Sequence, residues 1–141
     1  MNIEQKQQEI IAEFAIFDDW LDKYQYIVEL GNTLEEFPEE FLTDQNLIDG
    51  CQSKVWLTAD YRDGKVYFSA KGDAIIVKGI IRLLISVLSG RTPNEIIESD
   101  LHFLNEIGLT EHLSPIRSNG LAAMVKQMRL YAIAFKAKEE N

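Results

Sequence analysis

Two runs of alternating apolar and other residues, separated by an Asp-Gly pair, constrain the fold of this chain most strongly. The apolar positions of the two runs are Val55, Leu57, Ala59, Val66, Phe68 and Ala70. Such alternation is typical of β-strands with one buried face. Asp63 and Gly64 lie between the runs, and both tolerate the positive φ angles of a two-residue hairpin turn. The pattern predicts an antiparallel hairpin near residues 54–71 and leaves a third strand near residues 70–72 open.

The most apolar segment of the chain follows this hairpin and predicts a central helix. Residues 74–89 are apolar almost all round, which is typical of a helix buried on every side. Asp73 is expected to cap the start of this helix, and Gly90 to end it. The run is interrupted by Lys78 and Arg82 and is too short to span a membrane. A small antiparallel sheet packed against several helices, an α+β fold, is therefore expected.

Spacing predicts two helices before the hairpin. The positions that recur at intervals of three and four are Ile10, Phe14, Phe17, Leu21, Tyr24 and Val28. Asp18 and Asp19 interrupt this stripe and can cap a new helix, which should end at Gly31-Asn32. The acidic stretch over residues 33–46 contains Pro38 and reads as a loop with a short helical turn.

Three more helices are predicted after Gly90. Residues 92–95 form a capping box with proline at the first helical position. A helix starting at Ser99 or Asp100 should end at Gly108, and the last helix should begin at Ser118 or Asn119. The residues expected to face inward from these two helices are Leu101, Leu104, Ile107, Leu121, Met124, Val125, Met128, Ala132 and Phe135.

Composition narrows the class of protein. The 141 residues carry no repeat or linker and are expected to form a single domain over residues 1–141. The net charge of −9 and the lack of a basic block argue against nucleic-acid binding. The first residues lack the pattern of a signal peptide, and a lone cysteine suits a reducing compartment, so a cytoplasmic location is expected.

The single cysteine, Cys51, is the strongest candidate for chemistry. It follows Gly50, precedes the polar Gln52 and Ser53, and belongs to none of the apolar stripes, so it should lie on a loop. A nearby cation would raise its thiolate fraction, and Lys54 and Arg117 are the candidates. The competing interpretation is a buried structural thiol, which is the commoner role of a free cysteine.

Other sites receive less support from the sequence. A cysteine hydrolase would pair the thiol with a histidine base, yet His102 and His112 both lie in helical patterns outside any catalytic motif. The spacing of Cys51 and the two histidines matches no zinc site, and no glycine-rich phosphate loop is present. Neither a metal nor a cofactor is therefore expected.

Three motifs stand out in the chain: GCQSKVWL at residues 50–57, GDAIIVKGI at residues 72–80 and LSPIRSNGL at residues 113–121. Together they resemble the SufE family, which includes the paralogous CsdE proteins. The resemblance extends to residues 28–38 and thus covers nearly the whole chain.

This resemblance implies a small α+β sulfur acceptor that is not itself a cofactor enzyme. Such proteins partner a pyridoxal-phosphate cysteine desulfurase, take its persulfide sulfur onto one cysteine, and deliver it to iron–sulfur assembly. By resemblance, Cys51 is that acceptor, and Arg117 of the R-x-N-G motif, which includes Asn119, serves the partner interaction. Asp73 resembles a residue at the base of the cysteine loop.

The chemistry of such an acceptor suits a lone cysteine on a loop. Thiol attack on a persulfide needs one accessible sulfur and no metal. Gly50 is expected to let the loop move, with the resting thiol tucked against apolar neighbours. A redox-sensing thiol module and an interaction protein with a bystander cysteine remain open as alternatives, as do the choice between a SufE-type and a CsdE-type pathway and the final sulfur recipient.

Overall fold

The predicted hairpin is present and begins directly after the cysteine loop. The structure, a computed structural model, describes residues 1–51 and 53–140. Strand β1 (Val55–Arg62) pairs antiparallel with β2 (Lys65–Gly72), from Arg62 opposite Lys65 to Val55 opposite Gly72. Asp63 and Gly64 have φ angles of 52° and 78°, as the turn requires. The described residues form no third strand, since residues 70–72 are the end of β2.

The central helix is confirmed, but its predicted cap is wrong. Helix α3 (Ile75–Leu88) buries nine of its residues, and Gly90 follows its end with a φ of 79°. The residue preceding the helix is Ala74, which makes no side-chain cap. Asp73 lies one position before this cap residue. Its backbone N–H donates to the carbonyl of Lys54, so Asp73 continues the backbone pairing at the end of the hairpin. The Asp73 side chain is exposed.

The two N-terminal helices form as predicted, with one change of face. They are α1 (Ile3–Phe14) and α2 (Trp20–Gly31), and the Asp19 carboxylate caps α2 by accepting the N–H of Asp22 at 2.9 Å. The apolar stripe of α1 does not continue into α2, because α2 starts anew after Asp19 and is rotated about its axis relative to α1. Leu21 is 73% exposed, and Ile27 is buried in place of the predicted Val28.

Helices α2 and α3 cross in backbone contact. A Cβ atom placed on Gly79 would lie 2.0 Å from the carbonyl oxygen of Ile27, and one on Gly31 would lie 2.8 Å from the nitrogen of Gly79. Two helices can approach so closely only where neither carries a side chain at the crossing point. The pair of glycines therefore sets the distance between α2 and α3.

The segment after α3 starts as predicted and then departs from the prediction. Helix α4 (Pro93–Glu98) has the expected capping box of Thr92 and Glu95. The next helix, α5 (Phe103–Glu106), begins later than Ser99 or Asp100. Ser99 and Asp100 instead accept the N–H groups of Leu101 and His102, and Leu101 adopts a φ of 51°. These local side-chain bonds make a turn, not a helix start.

The last helix also begins earlier than predicted. After the short α6 (Leu109–His112), helix α7 runs from Pro115 to Glu140, so Ser118 and Asn119 lie inside it. The hydroxyl of Ser114 accepts the N–H of Arg117 at 3.3 Å, and Pro115 occupies the first helical position. Of the predicted stripe, Leu121, Met124, Met128 and Ala132 are buried, while Val125 and Phe135 are partly buried.

The core lies between α3 and the elements that surround it. One face of the hairpin carries the buried residues of both strands, and these join α3 and α7 in a single apolar cluster. The 33–46 segment contains two single-turn 3₁₀ helices, Glu39–Phe41 and Asp44–Asn46. Among the described residues, no helix combines the length and apolar character needed to cross a membrane.

Replacing Gly79 with alanine is expected to destabilise the protein by about 3 kcal/mol or more, because the new methyl group would overlap the backbone of α2. Gly64→Ala is the matched control: no atom lies within 4 Å of its Cβ position, and its φ of 78° accounts for about 1 kcal/mol. Urea unfolding followed by circular dichroism measures both. Equal losses in the two variants would contradict a close helix crossing.

Candidate functional site around Cys51

Cys51 lies on the loop between the second 3₁₀ helix and β1, as predicted. Gly50 precedes it with a φ of 93°, and a Cβ on Gly50 would lie 3.4 Å from the Cβ of Ala123 in α7. A left-handed backbone conformation packed against a neighbouring helix favours glycine at this position, whether or not the loop moves. Whether Gly50 acts as a hinge stays a prediction.

The thiol faces a small pocket between the loop, α3 and α7. This pocket has a volume of about 50 Å³. It is lined by Cys51, Ser53, Val55, Val77, Ile80, Ile116, Arg117, Gly120 and Met124. Val77 and Ile80 belong to α3 and are buried, whereas Ile116 is 51% exposed and stands at the mouth. The pocket is therefore apolar at its base and opens to the surface at the start of α7.

The sulfur atom lies against the backbone of α7. Its S–H is placed to donate to the carbonyl oxygen of Gly120 at 3.6 Å. A Cβ on Gly120 would lie 3.6 Å from the same sulfur, so the glycine leaves room for the thiol beside the helix. Burial raises the pKa of the Cys51 thiol above its ordinary value. The resting cysteine is thus half-buried against α7, and its burial disfavours the thiolate form.

Some of the predicted site residues meet at this pocket. Ser53 and Arg117 line it together with Cys51, and Gly50 lies next to the thiol against α7. Arg117 was expected to precede a helix cap and is instead an exposed residue in the first turn of α7. Gln52 lies outside the described residues.

Other predicted residues lie outside the lining of the pocket. Asp73 is exposed and is connected to the loop through its backbone bond to Lys54. Asn119 is exposed on α7, beside the pocket residue Gly120. Lys54, one of the two candidate cations, is exposed and does not line the pocket, which leaves Arg117 as the cation at its mouth.

Two groups of pocket residues were missed by sequence reasoning. Ile116 and Gly120 lie within the LSPIRSNGL motif. The last helix was predicted to begin too late in the chain to place them on its inward face. A glycine inside a helix often marks a close approach, and this was the available signal for Gly120. Val77, Ile80 and Met124 were predicted only as core residues. The periodicity of apolar residues along a helix does not indicate which of them border a cavity.

The two histidines have partners elsewhere. His102 bonds the carboxylates of Glu106 and Glu4, which raise its pKa. The ring of His112 stacks on Trp20 at 4.3 Å between centroids. Neither histidine lines the Cys51 pocket, so the described residues supply the thiol with no imidazole base there.

Comparisons with known proteins agree with this architecture. The chain is 40% identical to an uncharacterised SufE-like protein of Rhizobium meliloti over 126 residues, 86% of this chain and 90% of the relative. It is 39% identical to another from Synechocystis, over 90% of this chain and 80% of the relative. The solution structure of a hypothetical protein from Thermus thermophilus has a TM-score of 0.75 at 23% identity, covering 92% of this chain and 94% of the other, and shows the same fold.

The family assignment rests on most of the chain. Residues 8–132 match the family described as SufE, an Fe-S metabolism associated domain. The matched region contains the hairpin, α3, Cys51 and residues 115–132 of α7. The chain therefore belongs to the SufE family, and its broad role is in iron–sulfur metabolism.

Proposed function

We propose that this protein is a sulfur acceptor that takes persulfide sulfur from a pyridoxal-phosphate cysteine desulfurase onto Cys51 and passes it to iron–sulfur cluster assembly. The observation that carries the proposal is a free, loop-borne thiol at the mouth of a small pocket, in a chain of the SufE family. The protein would act as an accessory to the desulfurase, which it stimulates by removing its product.

The transfer is an exchange between a thiol and a persulfide. The Cys51 thiolate attacks the terminal sulfur of the desulfurase persulfide, and a new S–S bond forms. The S–S bond on the desulfurase breaks, and its cysteine leaves as a thiolate that takes up the proton released by Cys51. One thiol and one persulfide are consumed and one of each is produced, so the step requires no oxidant or reductant.

Burial of Cys51 suits a carrier that must be inactive until its partner arrives. The raised pKa of the thiol keeps it protonated, and a protonated thiol is a poor nucleophile. Docking would draw the loop outward, where solvent and the partner favour the thiolate. This is a population shift driven by contacts that favour the exposed state.

The pocket also has room for the transferred sulfur. A cavity of about 10–15 Å³ holds one water molecule. The volume of about 50 Å³ beside Cys51 therefore suffices for one further sulfur atom. A persulfide that returned to this position would be shielded by Val77, Ile80 and Met124 until the next acceptor bound.

Of the pocket residues, Arg117 is the best placed to act both in the sulfur transfer and in the docking of the desulfurase. It lies at the pocket mouth in the first turn of α7, and its side chain makes no ion pair with the described residues. A guanidinium there can bind a carboxylate of the partner or stabilise the sulfur anion during transfer.

The redox-sensor alternative receives less support from the same geometry. Thiols that are readily oxidised to sulfenic acids are exposed and have a lowered pKa. Burial instead raises the pKa of Cys51, and the thiol donates to a backbone carbonyl.

Alkylation of the free protein should be slow, with its pH midpoint above that of an ordinary cysteine, because burial raises the pKa of Cys51. Ala12→Cys in a Cys51→Ser background supplies an exposed helical thiol as the control. Iodoacetamide labelling followed by mass spectrometry measures both rates over pH 6–10, an ordinary thiol having a pKa of about 8.5. Equal rates and midpoints for Cys51 and the control thiol would contradict the resting pocket.

Cys51→Ser should fold normally and accept no sulfur. A partly buried loop thiol supports little of the core, so the free energy of unfolding should change by about 1 kcal/mol or less. Incubation with a desulfurase and cysteine, followed by intact mass measurement, should add one sulfur to the wild type and none to the variant. Sulfur addition to the serine variant would remove Cys51 from the pathway.

Arg117→Ala should reduce stimulation of the desulfurase while leaving stability within about 0.5 kcal/mol, because the side chain is exposed. Lys126→Ala is the matched control, since it removes an exposed cation from the same helix outside the pocket. Desulfurase activity is measured as sulfide release over a range of acceptor concentrations. Identical curves for the two variants would argue against a role of Arg117 in docking.

A further inference from the structure

Gly120 is a glycine that neither backbone conformation nor a close contact explains. Of the eight glycines in the chain, four have positive φ angles, namely Gly50, Gly64, Gly90 and Gly108. An added Cβ would lie 3.1 Å or less from a neighbouring atom at three more, namely Gly31, Gly72 and Gly79. Gly120 belongs to neither group, so the reason for a glycine there has to lie elsewhere.

A glycine at this position weakens the helix that contains it. Gly120 is the sixth residue of α7, which runs from Pro115 to Glu140, and therefore lies in the helix interior. Glycine loses more backbone entropy on folding than alanine does and destabilises a helix relative to alanine. A residue choice that opposes the local structure in this way often marks a functional position.

The space left by the missing side chain borders Cys51. Apart from the backbone of α7 and the chain neighbours of Gly120, the described atoms within 4 Å of an added Cβ are Sγ and Cα of Cys51, at 3.6 and 3.9 Å. Both distances are ordinary van der Waals contacts, so the thiol alone would tolerate an alanine. Gly120 also lines the pocket of about 50 Å³ beside the sulfur. The glycine therefore keeps open a space that the resting thiol does not fill.

The outer sulfur of a persulfide would fit this space. It lies about 2.05 Å from the inner sulfur, the length of an S–S bond, and in the neutral persulfide it carries the S–H group. In the resting protein the S–H of Cys51 is placed to donate to the carbonyl oxygen of Gly120 at 3.6 Å. Since the described residues give the sulfur this one hydrogen bond, the S–H of the outer sulfur is expected to turn to the same side.

We propose that Gly120 is a positioning residue for the Cys51 persulfide: the space beside it seats the outer sulfur and shields that sulfur from thiols in solution. The inference rests on the sulfur-acceptor function proposed above and names the residue that fits the site to one added sulfur. Shielding follows because a thiolate has to reach the sulfur that it attacks, so access limits the rate of exchange.

The persulfide can be made chemically, so the test does not depend on a desulfurase. In the full chain, Ellman's reagent converts Cys51 to a mixed disulfide with 5-thio-2-nitrobenzoate. Sulfide then displaces the nitrobenzoate thiolate, so one S–S bond breaks as another forms and Cys51 keeps one added sulfur. A desulfurase that fails to charge Cys51 would count against the proposed function, whereas the behaviour of this chemically made persulfide tests Gly120.

The first measurement is the rate at which dithiothreitol removes the outer sulfur, followed by intact mass. The wild-type persulfide should lose its sulfur at least about fivefold more slowly than a persulfide on Ala12→Cys in the Cys51→Ser background, which is exposed. Gly120→Ala should lose it at least about fivefold faster than the wild type, because the methyl group displaces the outer sulfur toward solvent.

Two comparisons restrict this effect to the persulfide. Iodoacetamide labelling of the free thiol should differ by less than about twofold between the wild type and Gly120→Ala, since the Cβ–Sγ contact of 3.6 Å is an ordinary one. Lys126→Ala changes α7 outside the pocket and should match the wild type in both rates.

The second measurement asks whether the methyl group and the outer sulfur compete for one space. Urea midpoints are compared for the wild type and Gly120→Ala, each as the thiol and as the persulfide. As thiols, the variant should match or exceed the wild type, because alanine favours the helix. The added sulfur should shift the wild-type midpoint by less than about 0.2 M and lower that of Gly120→Ala by about 0.5 M. A purely structural role of Gly120 would produce no such coupling.

Several outcomes would contradict the proposal. A wild-type persulfide that reacts as fast as the exposed control would mean that the outer sulfur points into solvent. Equal rates for the wild-type and Gly120→Ala persulfides, or additive effects of the methyl group and the sulfur on unfolding, would mean that the sulfur occupies another part of the pocket. A Gly120→Ala protein that does not fold as the thiol would show that the resting state itself needs the glycine.

Discussion

The backbone contact between Gly31 and Gly79 determines where the central helix lies. At this crossing α2 and α3 approach until no side chain fits between them. The side of α3 facing the hairpin then packs closely enough that a Cβ on Gly72 would lie 3.1 Å from Val77 and Ile81. Val77 also forms the base of the Cys51 pocket, so a helix crossing on one side of α3 sets the depth of the site on the other.

Among the described residues, the Cys51 thiol has apolar neighbours and a backbone contact but no histidine partner. No described histidine reaches the pocket, and burial raises the pKa of the thiol. These properties agree with the sulfur-carrier role that we propose, in which the sulfur becomes nucleophilic when the loop opens on a partner. The start of α7 contributes both Arg117 and Gly120. The cation at the pocket mouth and the backbone carbonyl that contacts the thiol therefore lie on successive turns of one helix.

Local signals in the sequence predicted most elements and failed where two signals competed. Asp63-Gly64, Asp19 and the Thr92–Glu95 box each act on neighbouring backbone groups, and each formed as expected. The start of α7 was misplaced because Ser118 and Asn119 were preferred to Ser114-Pro115, which is an equally local cap. Asp73 failed as a cap because a backbone bond to Lys54, far from any helix signal, held its position.

The sequence by itself determined the α+β class, the hairpin and its turn, the buried central helix and the loop position of Cys51, and its motifs indicated the family. These features depend on periodicity, turn residues and motif spacing, which are properties of short segments. Only the tertiary structure decided that the thiol rests against Gly120 and that Val77 and Ile80 line the pocket beneath it. Such contacts join residues distant along the chain, and their distances depend on how closely α3 packs against α2, α7 and the hairpin.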